Sequence, residues 1–136
     1  MTNNHLLATI GQYALILNPK KEILLLQRVR SKLWSLPGGR LNQGEDWEKA
    51  FIREVKEETS LETTGFSPVA VALVKDPYQT KYCVFFEVCV RSLIDLKVNN
   101  QEHINYRWFA ISDLHGMIID SYPQFTPTIT EYLKSK

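Results

Sequence analysis

Gly39-x5-Glu45-x7-Arg53-Glu54-Val55-Lys56-Glu57-Glu58 is the stretch on which the fold turns. From about Asp46 to Thr59 its mix of Trp, Glu, Lys, Ala, Phe, Ile, Arg and Val permits a helix. On such a helix Glu54, Glu57 and Glu58 share one face. At roughly 100° per residue, Glu54 and Glu58 point into the arc of Trp47, Ala50, Phe51 and Val55, while Lys49, Arg53 and Lys56 point elsewhere. Acids thus invade the apolar face. A carboxylate pressed toward a core costs several kcal/mol unless something positive compensates it, and a divalent cation is the natural compensation. The plainer reading is a solvated acidic helix with pairs such as Glu45 to Lys49 and Arg53 to Glu57.

Just before this helix lies Leu36-Pro37-Gly38-Gly39, following an apolar segment. Adjacent glycines allow backbone conformations and close approaches that side chains forbid, so such a turn can aim a carbonyl at a metal. Alone, Pro-Gly-Gly is an ordinary turn; its weight comes from its fixed distance to the acids.

Extended to Ser60-Leu61, the pattern Gly39-x5-Glu45-x7-Arg53-Glu54-Val55-x-Glu57-Glu58-x-Ser60-Leu61 resembles the signature box of Nudix hydrolases. Leu24-Leu25-Leu26-Gln27-Arg28 before the loop and Tyr106-Arg107-Trp108-Phe109 late in the chain are also similar to that family. One position departs: Ser60 stands where the family has glycine, just past the expected end of the helix. Serine pays roughly 1 kcal/mol in a left-handed cap, so the departure bears on helix termination more than on metal binding.

The whole chain is consistent with a small enzyme. Its 136 residues suit one domain, residues 1–136, that buries roughly two thirds of its unfolded-chain surface. Sixteen Lys and Arg against 15 Asp and Glu leave a net charge of +1, which argues against a long nucleic acid or a membrane surface as partner. The start of the chain lacks a charged segment followed by a sufficient apolar run, so a cytoplasmic protein is expected. Cys83 and Cys89 fall on one face of an expected strand about 20 Å apart, beyond disulfide reach, and read as buried free thiols.

Apolar runs predict strands over Leu7–Leu17, Glu22–Val29, Ser67–Lys75, Thr80–Arg91 and His103–Ala110, with turns at Asn18-Pro19-Lys20-Lys21 and Asp76-Pro77-Tyr78. A short helix is expected at Ile111–Leu114. A last one runs from Thr128 to Leu133, with Thr126 as cap and Pro127 in the first turn. These elements make an α/β protein with a mixed sheet and helices on both faces, which the resemblance sharpens to the Nudix α/β/α sandwich.

The resemblance implies divalent-metal-dependent hydrolysis of a diphosphate linkage in a nucleoside diphosphate compound, by attack of water on phosphorus. A densely anionic diphosphate needs an activated water and neutralised charge, and divalent metals provide both. Glu54, Glu57 and Glu58 are the expected ligands for Mg²⁺ (or Mn²⁺), with the Gly38 carbonyl as a further one. Arg53 is expected to orient a glutamate, with Glu45 supporting it. The general base is either a box glutamate or Glu102 in the loop Asn99-Asn100-Gln101-Glu102-His103. His103 is also available for proton transfer, although a lone histidine is more often structural.

For the substrate, a small nucleotide, Arg28, Arg30 and Lys32 could reach phosphate oxygens, Arg28 first among them. Phe125, with Trp34, Tyr78 and Tyr122, could stack on a base, against the more common role of such aromatics in cores. Gln124, Phe125 and Thr126 stand where MutT-like members carry a base-reading asparagine, which weakens the case for an oxidised-dGTP specificity. Pro77 and Tyr78 lie where the family hints at ADP-ribose or dinucleoside polyphosphates, and having both leaves that choice open. An ADP-ribose pyrophosphatase, a non-catalytic nucleotide-sensing module of the same fold, and either a monomer or a homodimer are the alternatives that the sequence leaves standing.

Overall fold

The stretches Tyr13–Leu15 and Ile23–Leu26 of the first two strands are buried with both of their faces covered, which is why they read as continuous apolar runs instead of alternating ones. The computed structural model describes residues 4–75, 77–98 and 101–136. Strand β1 spans Thr9–Leu15, β2 Ile23–Arg28, β3 Trp34–Ser35 and β4 Gly38–Arg40. Helix α1 spans Trp47–Thr59, followed by β5 at Thr63–Lys75, β6 at Thr80–Val90, β7 at His103–Phe109 and helix α2 at Phe125–Lys134. Short 3-10 turns cover Leu93–Asp95 and Ile111–Leu114.

The strands form two sheets, ordered β4-β1-β6-β5 and β3-β2-β7. The first is mixed: β1 runs parallel to β6, and every other pairing is antiparallel. An isolated Leu17–Ile23 bridge joins the sheets at one end. The chain crosses between them again from β3 to β4, through Leu36-Pro37, and there the glycine loop sits.

Alternate residues of β1 and β2 face opposite cores. Ala14, Ile16, Leu24 and Leu26 cluster with Phe51 and Val55 of α1, whereas Tyr13, Leu15, Ile23 and Leu25 cluster with Phe125, Ile129 and Leu133 of α2. This is the α/β/α sandwich expected from the sequence.

Helix α1 starts where expected. Asp46 is its N-cap, accepting from the backbone N–H groups of Glu48 and Lys49. Its end is less ordinary, because Ser60 adopts the left-handed conformation at φ 65° and donates its N–H to Lys56 O at 2.9 Å.

Several boundaries differ from those read in the sequence. β5 begins at Thr63, not Ser67, and carries Pro68 inside it. It is an edge strand with a register shift between Pro68 and Ala70, the setting in which a strand tolerates proline. α2 begins at Phe125 with Gln124 preceding it, so Thr126 is not its cap; the Thr126 hydroxyl donates instead to Met117 O at 2.6 Å. Packing anchors that start, since the Phe125 ring lies 5.0 Å from Tyr13 and 4.9 Å from Phe85. Cys83 is buried, but Cys89 is exposed and is not the buried thiol expected. The last residues after α2 reach Glu87, where Lys136 pairs at 3.0 Å, two positions short of Cys89. Asp76 of the β5–β6 turn, and Asn99 and Asn100 before β7, lie outside the described residues. Among the described residues no helix is long and apolar enough to cross a membrane.

Candidate active site

The glycines come first, because they let the acids approach. A Cβ on Gly38, whose φ is +137°, would lie 2.0 Å from Gln12 O, and one on Gly39 would lie 2.6 Å from Glu54 Oε2. No other residue fits either place without moving backbone or displacing the carboxylate. β4 therefore lies directly against α1, and the Gly38 N–H donates to Glu58 Oε2 at 3.0 Å.

Glu54, Glu57 and Glu58 line one cavity of about 440 Å³ together with Gly38, Arg53 and Glu102. The acids differ in setting. Glu58 is buried, the Glu54 side chain is 17% exposed and that of Glu57 is 59% exposed. Burial drives the Glu58 carboxyl up to about 9, with Glu54 and Glu102 adding to the rise and the Gly38 N–H and Arg28 opposing it. Burial also raises Glu54 to about 7, where Arg53 pulls down while Glu45, Glu57 and Glu102 push up. For both acids burial is the larger effect, and the neighbouring N–H and arginine groups only partly oppose it.

Arg53 ties the acids together from the solvent side. Its Nη2 donates to Glu45 Oε2 at 2.8 Å and its Nη1 to Glu57 Oε1 at 3.3 Å, while Glu45 Oε1 accepts the Asn42 N–H at 2.8 Å. The pair expected within the helix is present, and a second acid from the preceding loop joins it.

Glu102 arrives from the start of β7, held by a backbone bond from Val29 N to Glu102 O at 2.8 Å. One ligand atom each of Glu58, Glu102 and His103 lie within 4.8 Å of one another. His103 is buried, with Nε2 3.3 Å from Ser35 Oγ and Nδ1 3.8 Å from Glu58 Oε1. Burial lowers its pKa, helped by the Arg28 charge, which favours the neutral ring. An oxygen-rich set with a neutral imidazole beside it suits a hard divalent cation.

The expected substrate contacts divide. Arg28 reaches the wall of a neighbouring cavity of about 300 Å³ that shares Gly38, Gly39, Arg40, Glu58 and Glu102 with the acid cavity. Its Nη2 is paired with Asp120 Oδ1 at 2.9 Å, on a side chain still 45% exposed. Arg30 is exposed on a third cavity beside Arg28 and Glu102. Phe125 has 0% exposure and is enclosed by Tyr13, Phe85 and Tyr122, so it offers no face to a base. Trp34 packs edge-on against Phe109 at 5.0 Å and belongs to the core edge. Tyr122 does line the smaller cavity.

Asp120, Lys81 and Tyr13 were not anticipated from the sequence. Asp120 is buried, accepts the Leu36 N–H at 3.0 Å and donates its own N–H to Trp34 O at 3.0 Å, which holds the crossing that leads into the glycine loop. The available signal for Lys81 was a lysine two residues before Cys83, on the inward side of an otherwise apolar strand.

An α/β/α sandwich in which a glycine strand is pressed against a helix of acids is a fold of one particular kind. Over residues 8–130 the chain matches the NUDIX domain, and it belongs to that family. It is 36% identical over 78 residues to a Bacillus subtilis protein described as a "Putative 8-oxo-dGTP diphosphatase", covering 57% of this chain and 52% of that one. It is 33% identical over 98 residues to Nudix hydrolase 2 of Arabidopsis thaliana, covering 68% of this chain and 35% of that protein. The chain thus spans about half or less of the length of these two relatives. Among solved structures, the MutT protein from Methanosarcina mazei Go1 superposes with a TM-score of 0.72 at 28% identity, with 94% of each chain covered.

Proposed function

We propose that this chain hydrolyses a diphosphate linkage in a small nucleoside diphosphate compound, with Mg²⁺ or Mn²⁺ held by Glu54, Glu57 and Glu58. The observation that carries the reading is the convergence of these acids on one cavity, with two of them raised by burial. The Gly38 carbonyl is a further ligand in this reading. When bound, the cation neutralises charge on the diphosphate and lowers the pKa of its water.

The remaining work belongs to the chain's own residues. Gly38 and Gly39 let the backbone approach without a side chain in the way. Arg53, bonded to Glu45 and Glu57, fixes the Glu57 rotamer toward the cavity. In this reading either Glu57 or Glu102, the solvent-facing carboxylates, accepts the proton of the attacking water. Arg28 and Arg30 supply positive charge to outer phosphate oxygens. The Bacillus subtilis relative's name directs attention to a nucleoside triphosphate with an altered guanine, and the family setting to nucleotides generally. A near-neutral chain with no membrane-spanning helix among its described residues suits a cytoplasmic enzyme of small molecules, not of long nucleic acids.

The test is phosphate and pyrophosphate release from nucleoside triphosphates, oxidised dGTP, ADP-ribose and dinucleoside polyphosphates, with each metal, against Glu57→Gln and Glu102→Gln. Metal-dependent turnover that Glu57→Gln abolishes supports the reading. An unchanged rate in Glu57→Gln overturns the metal assignment, and silence from folded, metal-binding protein points to a nucleotide-sensing module.

A further inference from the structure

The first sheet ends in two unlike strands: β4, three residues long, and β5, with 13 residues. β5 pairs with β6 along one side. Along the other, among the described residues, no backbone hydrogen bond from another segment reaches Thr63–Lys75. A strand end of that length offers a row of N–H and C=O groups ready to pair with another strand. α2 does not close over it, since a cavity of about 310 Å³ opens between Val69 and Ala70 of β5 and Thr128 and Tyr132 of α2.

Open edges are usually guarded by a charge, a proline or a bulge. β7, an end strand of the second sheet, carries Arg107 near its middle. β5 has its guards toward one end: Pro68, with register shifts at Thr63–Gly65 and Pro68–Ala70. From Ala70 to Lys75 the register is regular, and no charged side chain lies between Thr63 and Val74. Side chains of this stretch alternate. Ala70, Ala72 and Val74 join the core under α2, while Val71 and Leu73 stay exposed, Val71 at 54%. Leu73 continues through its register partners Tyr82 and Ile10, both exposed, as an apolar row across three strands.

We propose that β5 joins two copies of this chain, strand to strand and antiparallel, about a two-fold axis at Val71. A two-fold axis brings the same edge of both copies together antiparallel and pairs the same backbone groups on each. Charge selects this occupant. In the antiparallel arrangement Lys75 of each copy lies toward the Glu62 end of the other strand and away from the other Lys75. Val71 meets its own counterpart, with Leu73 to either side, so exposed apolar side chains cover one another. The short regular stretch puts this contact at the small end of specific interfaces, and a dimer of about micromolar Kd is expected. The inference is independent of the proposed reaction.

The experiment is sedimentation velocity of the full chain between about 1 and about 100 μM, in a Cys89→Ser background because Cys89 is an exposed thiol. The dimer fraction is expected to rise through that range. Val71→Lys sets like charges opposite each other across the axis, on a side chain exposed enough to keep the fold, and should weaken the dimer about tenfold or more. Val71→Cys should yield a disulfide-linked dimer on mild oxidation, because directly opposed residues of an antiparallel pair stand within disulfide reach. Lys75→Cys, far from its counterpart in this register, should not. A chain that stays monomeric through the range overturns the inference and leaves β5 to a strand from a different protein. A dimer that Val71→Lys leaves intact, or one that Lys75→Cys locks in place of Val71→Cys, overturns it as well.

Discussion

Helices α1 and α2 cover opposite faces of the same strands, yet they are built on different terms. α2 buries Phe125, Ile129, Tyr132 and Leu133, an aromatic and aliphatic stripe that follows the ordinary rule for a covering helix. α1 buries Ala50, Phe51 and Val55, but its next inward position is Glu58. An apolar residue there would stabilise the metal-free fold better than a carboxyl that burial holds up at about 9. A helix that departs from the stabilising choice at one inward turn, beside a strand whose first two residues leave no room for a side chain, is where we place the chemistry.

The largest expected effect breaks the symmetry between the helices outright. Glu57→Gln should lower turnover by about three orders of magnitude or more while leaving the circular dichroism spectrum and Tm nearly unchanged, since its side chain is 59% exposed. Phe125→Ala on α2 should do the reverse. Losing a fully buried ring from between Tyr13, Phe85 and Tyr122 should cost about 3–5 kcal/mol in urea unfolding, with metal affinity of the folded fraction kept. If Phe125→Ala instead abolished metal binding in protein that remains folded, the division of labour between the helices would be wrong.

The same contrast explains what was legible in the chain before any coordinates. α1 and its acids could be read because helical periodicity and a fixed spacing to Gly39 act locally. The strands β1 and β2 could be read because their inner stretches are buried and apolar. Phe125 was misread as a base stacker because aromatic character does not say which way a residue faces; its place in the core is set by Tyr13 and Phe85, far away in sequence. Thr126 failed as a cap for a similar reason, as the packing of Phe125 starts the helix earlier. Lys81, Tyr13 and Asp120 meet only because β1 pairs with β6 and because Asp120 is folded onto Leu36 and Arg28. Such contacts carry no short-range pattern.

A smaller effect sharpens the electrostatic side of the comparison. In metal-free protein, Glu58 and Glu54 hold their protons up to about 9 and about 7, against 4.5 for an ordinary glutamate. Folded protein then binds more protons than unfolded protein, so the stability from these groups is fully present below pH 4.5 and declines as pH rises through about 7 and then about 9. Thermal scans in chelator should show Tm falling across that range. Glu58→Gln should flatten the fall, and Mg²⁺ should offset it by favouring the ionised acids. A chelated protein whose Tm is level over the range would remove the claim that burial raises the acids of α1.

The smallest effect concerns the end of α1. Ser60 holds φ 65° and ψ 8°, a left-handed conformation that costs a residue with a Cβ roughly 1–2 kcal/mol. Its hydroxyl returns little, donating to Lys97 O at 3.4 Å. Ser60→Gly relieves the strain but makes the unfolded chain more flexible, a loss of about 0.5–1 kcal/mol. The balance should be a gain of about 0.5 kcal/mol in urea unfolding, with metal affinity unchanged. Because the last acid, Glu58, sits two residues before the cap, a change in metal affinity on Ser60→Gly would show that the strained turn helps set the acid's position. In that case the departure at Ser60 would belong to the site, and the contrast between the helices would extend from their faces to their ends.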